Sequence, residues 1–305
     1  MTGQTGGVVD LKAEYQLLIE SVGACWVERD VVSVSGPQAV TFLQGQTSQD
    51  VAALAAGASA WTWVLQPQGK VEALCRVTRV GDDEMLLDTD GGWGEALVAR
   101  LNRFKLRTKA DIVPVAWRCL ALRGPGVAAL ALPPITEGHG VALDAGWPGL
   151  GGIDLLGPDP AVPDGVALVS TATFELARIC AGVPRMGAEL TDKTIPAETG
   201  LVARTVSFTK GCFTGQELVA RIDSRGGNVP RHLRLVVLDE VAPVGAAVMI
   251  DNKAVGSLTS VAEHPEGGAR ALAYLGRGAT VPGPVAVTWD GGATAGRAEA
   301  LAAAP

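Results

Sequence analysis

The chain has 305 residues, 48% of them hydrophobic and only 19% charged, enough for a large core in two or three domains and too apolar for a disordered polymer. Its net charge of −7 offers no general basic footprint, which argues against nucleic acid as a partner. No window approaches the ~18 uninterrupted apolar residues of a membrane span, and the first ten residues carry neither a basic n-region nor an apolar h-region, so a cytoplasmic protein without a signal peptide is expected.

In chain order, residues 10–22 read as a short helix with Tyr15, Leu18 and Ile19 on one face. A strand is expected over 25–35, then a helix opened by Ser35-Gly36-Pro37, where serine caps and proline suits the first turn. Strands follow at 60–65, with Trp61 and Trp63 on one face, at 71–80 and at 84–88, separated by turns at 66–69 and 81–83. Trp93, Leu97, Val98 and Leu101 mark a helix, and 106–115 a further strand. This β-rich unit reads as a segment inserted into a larger domain. After a strand from 116 broken at Gly124-Pro125-Gly126, the stretch 128–148 has little periodicity. One or two short strands are expected in 149–169, and a helix over 174–182 capped by Thr173, which would bury Cys180. Residues 183–208 are loop-rich, as functional segments often are. Five short strands between 233 and 289 read as a small barrel or sandwich, and the Ala/Gly-rich tail from 291 as a fraying end.

The five cysteines (Cys25, Cys75, Cys119, Cys180 and Cys212) are odd in number and widely spaced, which disfavours a disulfide framework and a self-contained zinc or iron–sulfur site. His139, His232 and His264 are too few and scattered for a histidine-based site and read as surface residues. The informative stretch is Lys210-Gly211-Cys212-Phe213-Thr214-Gly215-Gln216-Glu217. Thr214 and Glu217 have capping-box spacing, with Phe213 and Leu218 as the staple. That spacing places Cys212 at a helix N-terminus beside Lys210, where dipole and cation both favour a thiolate. The competing reading is a cysteine that is only a small hydrophobe next to an ordinary capped helix.

Those eight residues, with Arg221 behind them, resemble the K-G-C-[FY]-x-G-Q-E signature of the YgfZ-type folate-binding proteins, relatives of the glycine-cleavage T-protein (aminomethyltransferase). Gly36 to Gln46 with Asp50, Arg178 to Pro184 with Gly187 and Glu189, and Pro196-Ala197-Glu198 resemble the family's other blocks. The resemblance implies an α+β, three-domain T-protein-like cloverleaf around a central channel: a discontinuous first domain (1–52 plus 116–228), an inserted domain (53–115) and a C-terminal β-barrel (229–305). It implies tetrahydrofolate in the channel and a role in assembly or repair of iron–sulfur enzymes, with iron–sulfur client proteins or assembly machinery as partners. Cys212 would then be the reactive thiol and Lys210 the group that keeps it ionised. Glu189 would contact the pterin, the alternative being a solvated loop glutamate. Arg221, Arg225 and Arg231 are candidates for the anionic folate tail, equally readable as exposed charges or salt-bridge partners. The T-protein catalytic aspartate aligns with Gly94, Asp90 being nearby but out of register, which leaves folate-dependent aminomethyl or methyl transfer as the alternative function.

Overall fold

The computed structural model describes residues 10–132 and 140–302. His139 and residues 1–9, most of the stretch read as lacking a signal peptide, lie outside them. Helix α1 (Leu11–Glu20) starts at Asp10, whose carboxylate accepts from the Ala13 amide. The expected strand at 25–35 is two strands, β1 (Gly23–Val27) and β2 (Arg29–Ser35), which enter different sheets on either side of Glu28. Next come α2 (Ala39–Gln46), β3 (Ser59–Leu65), β4 (Val71–Arg79), β5 (Glu84–Asp90), α3 (Gly94–Lys105) and β6 (Asp111–Val115). The segment continues as β7 (Arg118–Arg123), β8 (Val141–Asp144), β9 (Gly152–Gly157), β10 (Ala167–Leu168) and α4 (Thr171–Cys180). Ser170, not Thr173, caps α4, its hydroxyl accepting from the Thr173 amide.

Two five-stranded sheets result, one ordered β10-β1-β7-β9-β8 and the other β3-β4-β5-β2-β6. Because β2 pairs with both β5 and β6, the second sheet draws a strand from before residue 53, and the boundary expected there separates paired strands. The sheets meet through Val31, Leu86, Cys119, Leu143 and Leu156. Helices α2 and α3 cover the other side of the second sheet, burying Phe42, Leu43, Leu97 and Leu101 against Val34, Val77 and Leu87.

After α5 (Val202–Thr205) and α6 (Gln216–Ser224), six strands close a barrel in the order β11-β14-β13-β12-β15-β16. These are β11 (Arg231–Leu238), β12 (Ala247–Ile250), β13 (Lys253–Glu263), β14 (Ala269–Gly276), β15 (Gly283–Trp289) and β16 (Gly292–Glu299). The tail expected to fray is β16, which pairs with β15 on one side and β11 on the other. Small residues such as Ala271, Ala273 and Ala298 let large ones such as Val236 and Val287 fill the narrow interior. An α+β chain ending in a barrel is therefore what forms.

Candidate functional site

A cleft of about 770 Å³ opens between β1, the end of β5, α4 and the loop around residues 182–188. Trp61 and Trp147 line it, and Trp63, expected on the same strand face, is fully buried instead. Beneath the wall runs a ladder of charge. Arg29 donates to Asp88 (2.6 Å) and Asp90 (2.9 Å). Arg76, on the second sheet, donates through Nε and Nη2 to Asp88 (both 3.0 Å) and through Nη1 to Asp154 of the first sheet (3.0 Å). Arg123 Nη1 lies 2.8 Å from the other Asp154 oxygen. Burial alone would raise the Asp154 carboxyl, but Arg123 and Arg76 outweigh it and hold it at about 2. The guanidinium groups of Arg29, Arg76 and Arg204 stand 5.5, 5.2 and 5.6 Å from the Trp61 ring.

Several donors in this wall are unpaired. Arg29 Nη2, Trp61 Nε1, Arg123 Nε and Arg204 Nε are buried without an acceptor among the described residues. Native interiors carry few such groups, so four around one cleft point to a ligand rich in acceptors. Asp90 and Glu175 are carboxylates of the lining whose side chains stay 31% and 27% exposed.

Glu189 does not line the cleft. It is buried, and its Oε1 accepts from the Thr259 (2.8 Å) and Ser260 (2.6 Å) hydroxyls. Its Oε2 accepts from Arg178 Nη1 (3.2 Å) and the Arg185 amide (3.1 Å). The acceptor sites of a carboxylate are thus filled, leaving nothing to receive the two hydrogen bonds of a pterin edge. Its work is to fasten α4 and the 185–189 loop to β13 of the barrel. Arg221 and Arg225 are exposed at and beyond α6, and neither lines the cleft. Arg231 grips Glu198 through two nitrogens (3.1 and 3.2 Å) and lies over Tyr274, also away from the cleft.

The signature loop differs from the capping-box reading. Helix α6 begins at Gln216, its N-cap is Gly215 at φ 84°, and no side chain caps it. The Gln216 side chain instead accepts from the Phe213 amide at 3.1 Å. Cys212 therefore stands four residues before the first helical residue, beyond the reach of a dipole that fades within one turn. Lys210 is turned away to a cage of carbonyls, donating to Gln44 (2.7 Å), Thr47 (2.8 Å) and Gln49 (2.7 Å). Burial pushes its ammonium down to about 8, with Asp50 pulling the other way. Cys212 itself is exposed. Position 94 has no room for a base, since a Cβ on Gly94 would lie 2.6 Å from Asp30 Cβ, and its amide donates to Asp30 (2.7 Å).

Sequence reasoning missed Arg29, Arg76, Arg123, Arg204, Asp88 and Asp154. The available signal was a charge inside an apolar strand, as in Leu74-Cys75-Arg76-Val77 and Ile153-Asp154-Leu155.

No family model matches the chain. Among curated proteins it is 30% identical over 215 residues to the mitochondrial iron–sulfur cluster assembly factor IBA57 homolog of Mycosarcoma maydis, covering 65% of this chain and 53% of that protein. To the tRNA-modifying protein YgfZ of Pectobacterium carotovorum it is 28% identical over 217 residues, covering 65% of each. The chain is thus similar in sequence to proteins named YgfZ and IBA57. The matches span about half to two thirds of these relatives' own lengths. Among solved structures, the glycine cleavage system aminomethyltransferase T from Bartonella henselae superposes with a TM-score of 0.80 at 20% identity, covering 95% of this chain and 88% of that one. The fold is T-protein-like, with mixed α/β content and a closed barrel of six strands at the C-terminal end. No helix among the described residues is long and apolar enough to cross a membrane.

Proposed function

We propose that the protein is a tetrahydrofolate-binding accessory factor for assembly or repair of iron–sulfur enzymes, with Cys212 as its reactive group. The observation that carries this reading is the sorting of the cysteines. Cys25, Cys75 and Cys119 are buried, and Cys180 is half-buried. Burial pushes the Cys25 thiol up to about 11 and the Cys75 thiol to about 12, and raises Cys119 and Cys180 as well. Cys212 alone is exposed, on a loop that Lys210 fastens to the end of α2. Sulfur chemistry with a client protein falls to it by accessibility. The assembly-factor name of one set of relatives supports the same reading.

The cleft suits folate in size, being within the ~300–1,000 Å³ of small-molecule sites. Trp61 and Trp147 offer apolar walls, and Glu175 would take the aminopyrimidine edge in place of Glu189. Tetrahydrofolate, when bound, would supply a one-carbon carrier there.

A folate-dependent aminomethyl or methyl transferase is the second reading, favoured by the Asp90 carboxylate in the cleft wall. Maturation of an iron–sulfur enzyme in cells depending on this protein separates the two. Cys212→Ser is expected to abolish maturation and Asp90→Asn to spare it. Full maturation with Cys212→Ser would sink the thiol reading, and loss with Asp90→Asn alone would favour the transferase.

A further inference from the structure

Five arginines line the cleft, and four have acidic partners. Arg29 pairs with Asp88 and Asp90, Arg123 with Asp154, Arg178 with Glu175 and Glu189, and Arg185 with Glu175 at 3.8 Å. Arg204 pairs with no carboxylate among the described residues. Its Nη1 donates to the Gly146 carbonyl, and its Nε is buried without an acceptor. Nothing in the described residues accepts from its Nη2. Burial lowers its pKa, and Asp144 is the opposite charge that pulls the other way. The Asp144 carboxylate is exposed and accepts from the Gly146 amide at 2.8 Å, and it makes no ion pair with Arg204 among the described residues.

Trp61 Nε1 is the second unpaired donor of the same patch. The two groups converge. A Cβ built on Gly146 would lie 3.4 Å from Trp61 Nε1 and 3.5 Å from both Arg204 terminal nitrogens. Arg29 Nη2, also without an acceptor, belongs to a guanidinium on the same indole ring. A cation without a contacting counterion in a desolvated wall is costly, and a planar anion with two acceptor oxygens is what a guanidinium fork matches.

We infer that Arg204 and Trp61 form a carboxylate-binding subsite of the cleft. The carboxylate comes either from the glutamate tail of a bound folate, in which case the subsite rests on the function proposed above, or from a separate small carboxylate bound beside the pterin. The tail arginines expected from the sequence lie elsewhere, so this wall supplies the cleft's uncommitted cation.

Calorimetric titration tests it on wild type, Arg204→Gln, Arg204→Lys and Trp61→Phe. The ligands are 5-formyltetrahydrofolate, which carries tail carboxylates, and 6-methyltetrahydropterin, which carries none. If the tail is the source, Arg204→Gln weakens the folate ~10-fold or more and Trp61→Phe, which keeps an aromatic ring but loses the indole N–H together with the pyrrole half, ~3–10-fold. Arg204→Gln leaves pterin affinity unchanged, and Arg204→Lys retains part of the folate binding. If wild type binds folate and pterin alike, succinate titrated into the pterin complex binds wild type and not Arg204→Gln. Equal losses for both ligands, or no loss for folate and no succinate binding, overturn the inference. If wild type binds neither folate nor pterin, the folate reading fails by itself, and succinate alone decides. Binding abolished by Arg204→Gln then upholds the subsite, and no binding overturns it. Circular dichroism of each variant shows that a loss is not unfolding.

Discussion

Lys210 shows how a signature residue can be read for the wrong task. Two positions from Cys212 in sequence, it looks like the cation that ionises the thiol. In the folded chain its ammonium replaces water for three carbonyls at the end of α2 and just beyond, so it positions the loop. Replacing it with methionine strands those carbonyls in a half-buried place. Lys210→Met is expected to cost about 2–3 kcal/mol by urea unfolding. It should also leave the rate of Cys212 alkylation in the folded protein within a few-fold of wild type. A rate that collapses without loss of stability would restore the electrostatic role. Cys212→Ser, at an exposed position, should stay within about 0.5 kcal/mol of wild type. Glu189 carries the same lesson. Its type and spacing were legible, but saturation by Arg178, Thr259, Ser260 and a backbone amide depends on β13, seventy residues on. Spacing along a chain does not report who will occupy a lone pair. The pairing within the arginine–aspartate ladder was not legible for the same reason, since its partners come from different sheets.

At the scale of elements, strands with clear alternation and turn punctuation were legible, as were the helices with a periodic apolar face. The failures have physical causes. The 25–35 run divides at Glu28 without glycine or proline, because its halves find partners in different sheets, β7 for the first and β5 for the second. Strand β16 looks like a fraying tail because it is rich in Ala and Gly, the residues a narrow barrel accepts. The start of α6 was misplaced because glycine performs the turn. Gly215 sits at φ 84°, and a Cβ there would lie 2.5 Å from the Gln66 carbonyl oxygen and 2.8 Å from Leu65 Cβ. The signature loop thus packs backbone to backbone on the turn after β3. Gly215→Ala combines a left-handed backbone with overpacking and should destabilise by about 2–4 kcal/mol. A lower urea midpoint at unchanged slope would show it, and a midpoint within error of wild type would mean the loop yields freely.

Across the whole molecule, the sheets are joined by apolar contact on one side and by Arg76 on the other. Arg76 leaves β4, pairs with Asp88 on β5, and reaches Asp154 on β9, which Arg123 holds from β7. The cleft wall is therefore built on an ion-pair network that spans both sheets, and its rigidity depends on Asp154 staying charged. Held at about 2 against an ordinary 3.8, that carboxyl contributes about 2 kcal/mol of stability, present in full above pH 4 and lost as the pH falls through 2. The neutral variant Asp154→Asn leaves Arg76 and Arg123 without their shared counterion, a loss of about 3–5 kcal/mol at pH 7 for a broken buried pair. Thermal melts between pH 7 and pH 2 should show wild type falling steeply below pH 4, and the variant starting lower and falling less. Other carboxylates titrate in both proteins, so the difference between the two curves isolates Asp154. Parallel curves would mean that the network tolerates a neutral group at this joint and that the sheets are held by the Val31–Leu156 contact alone.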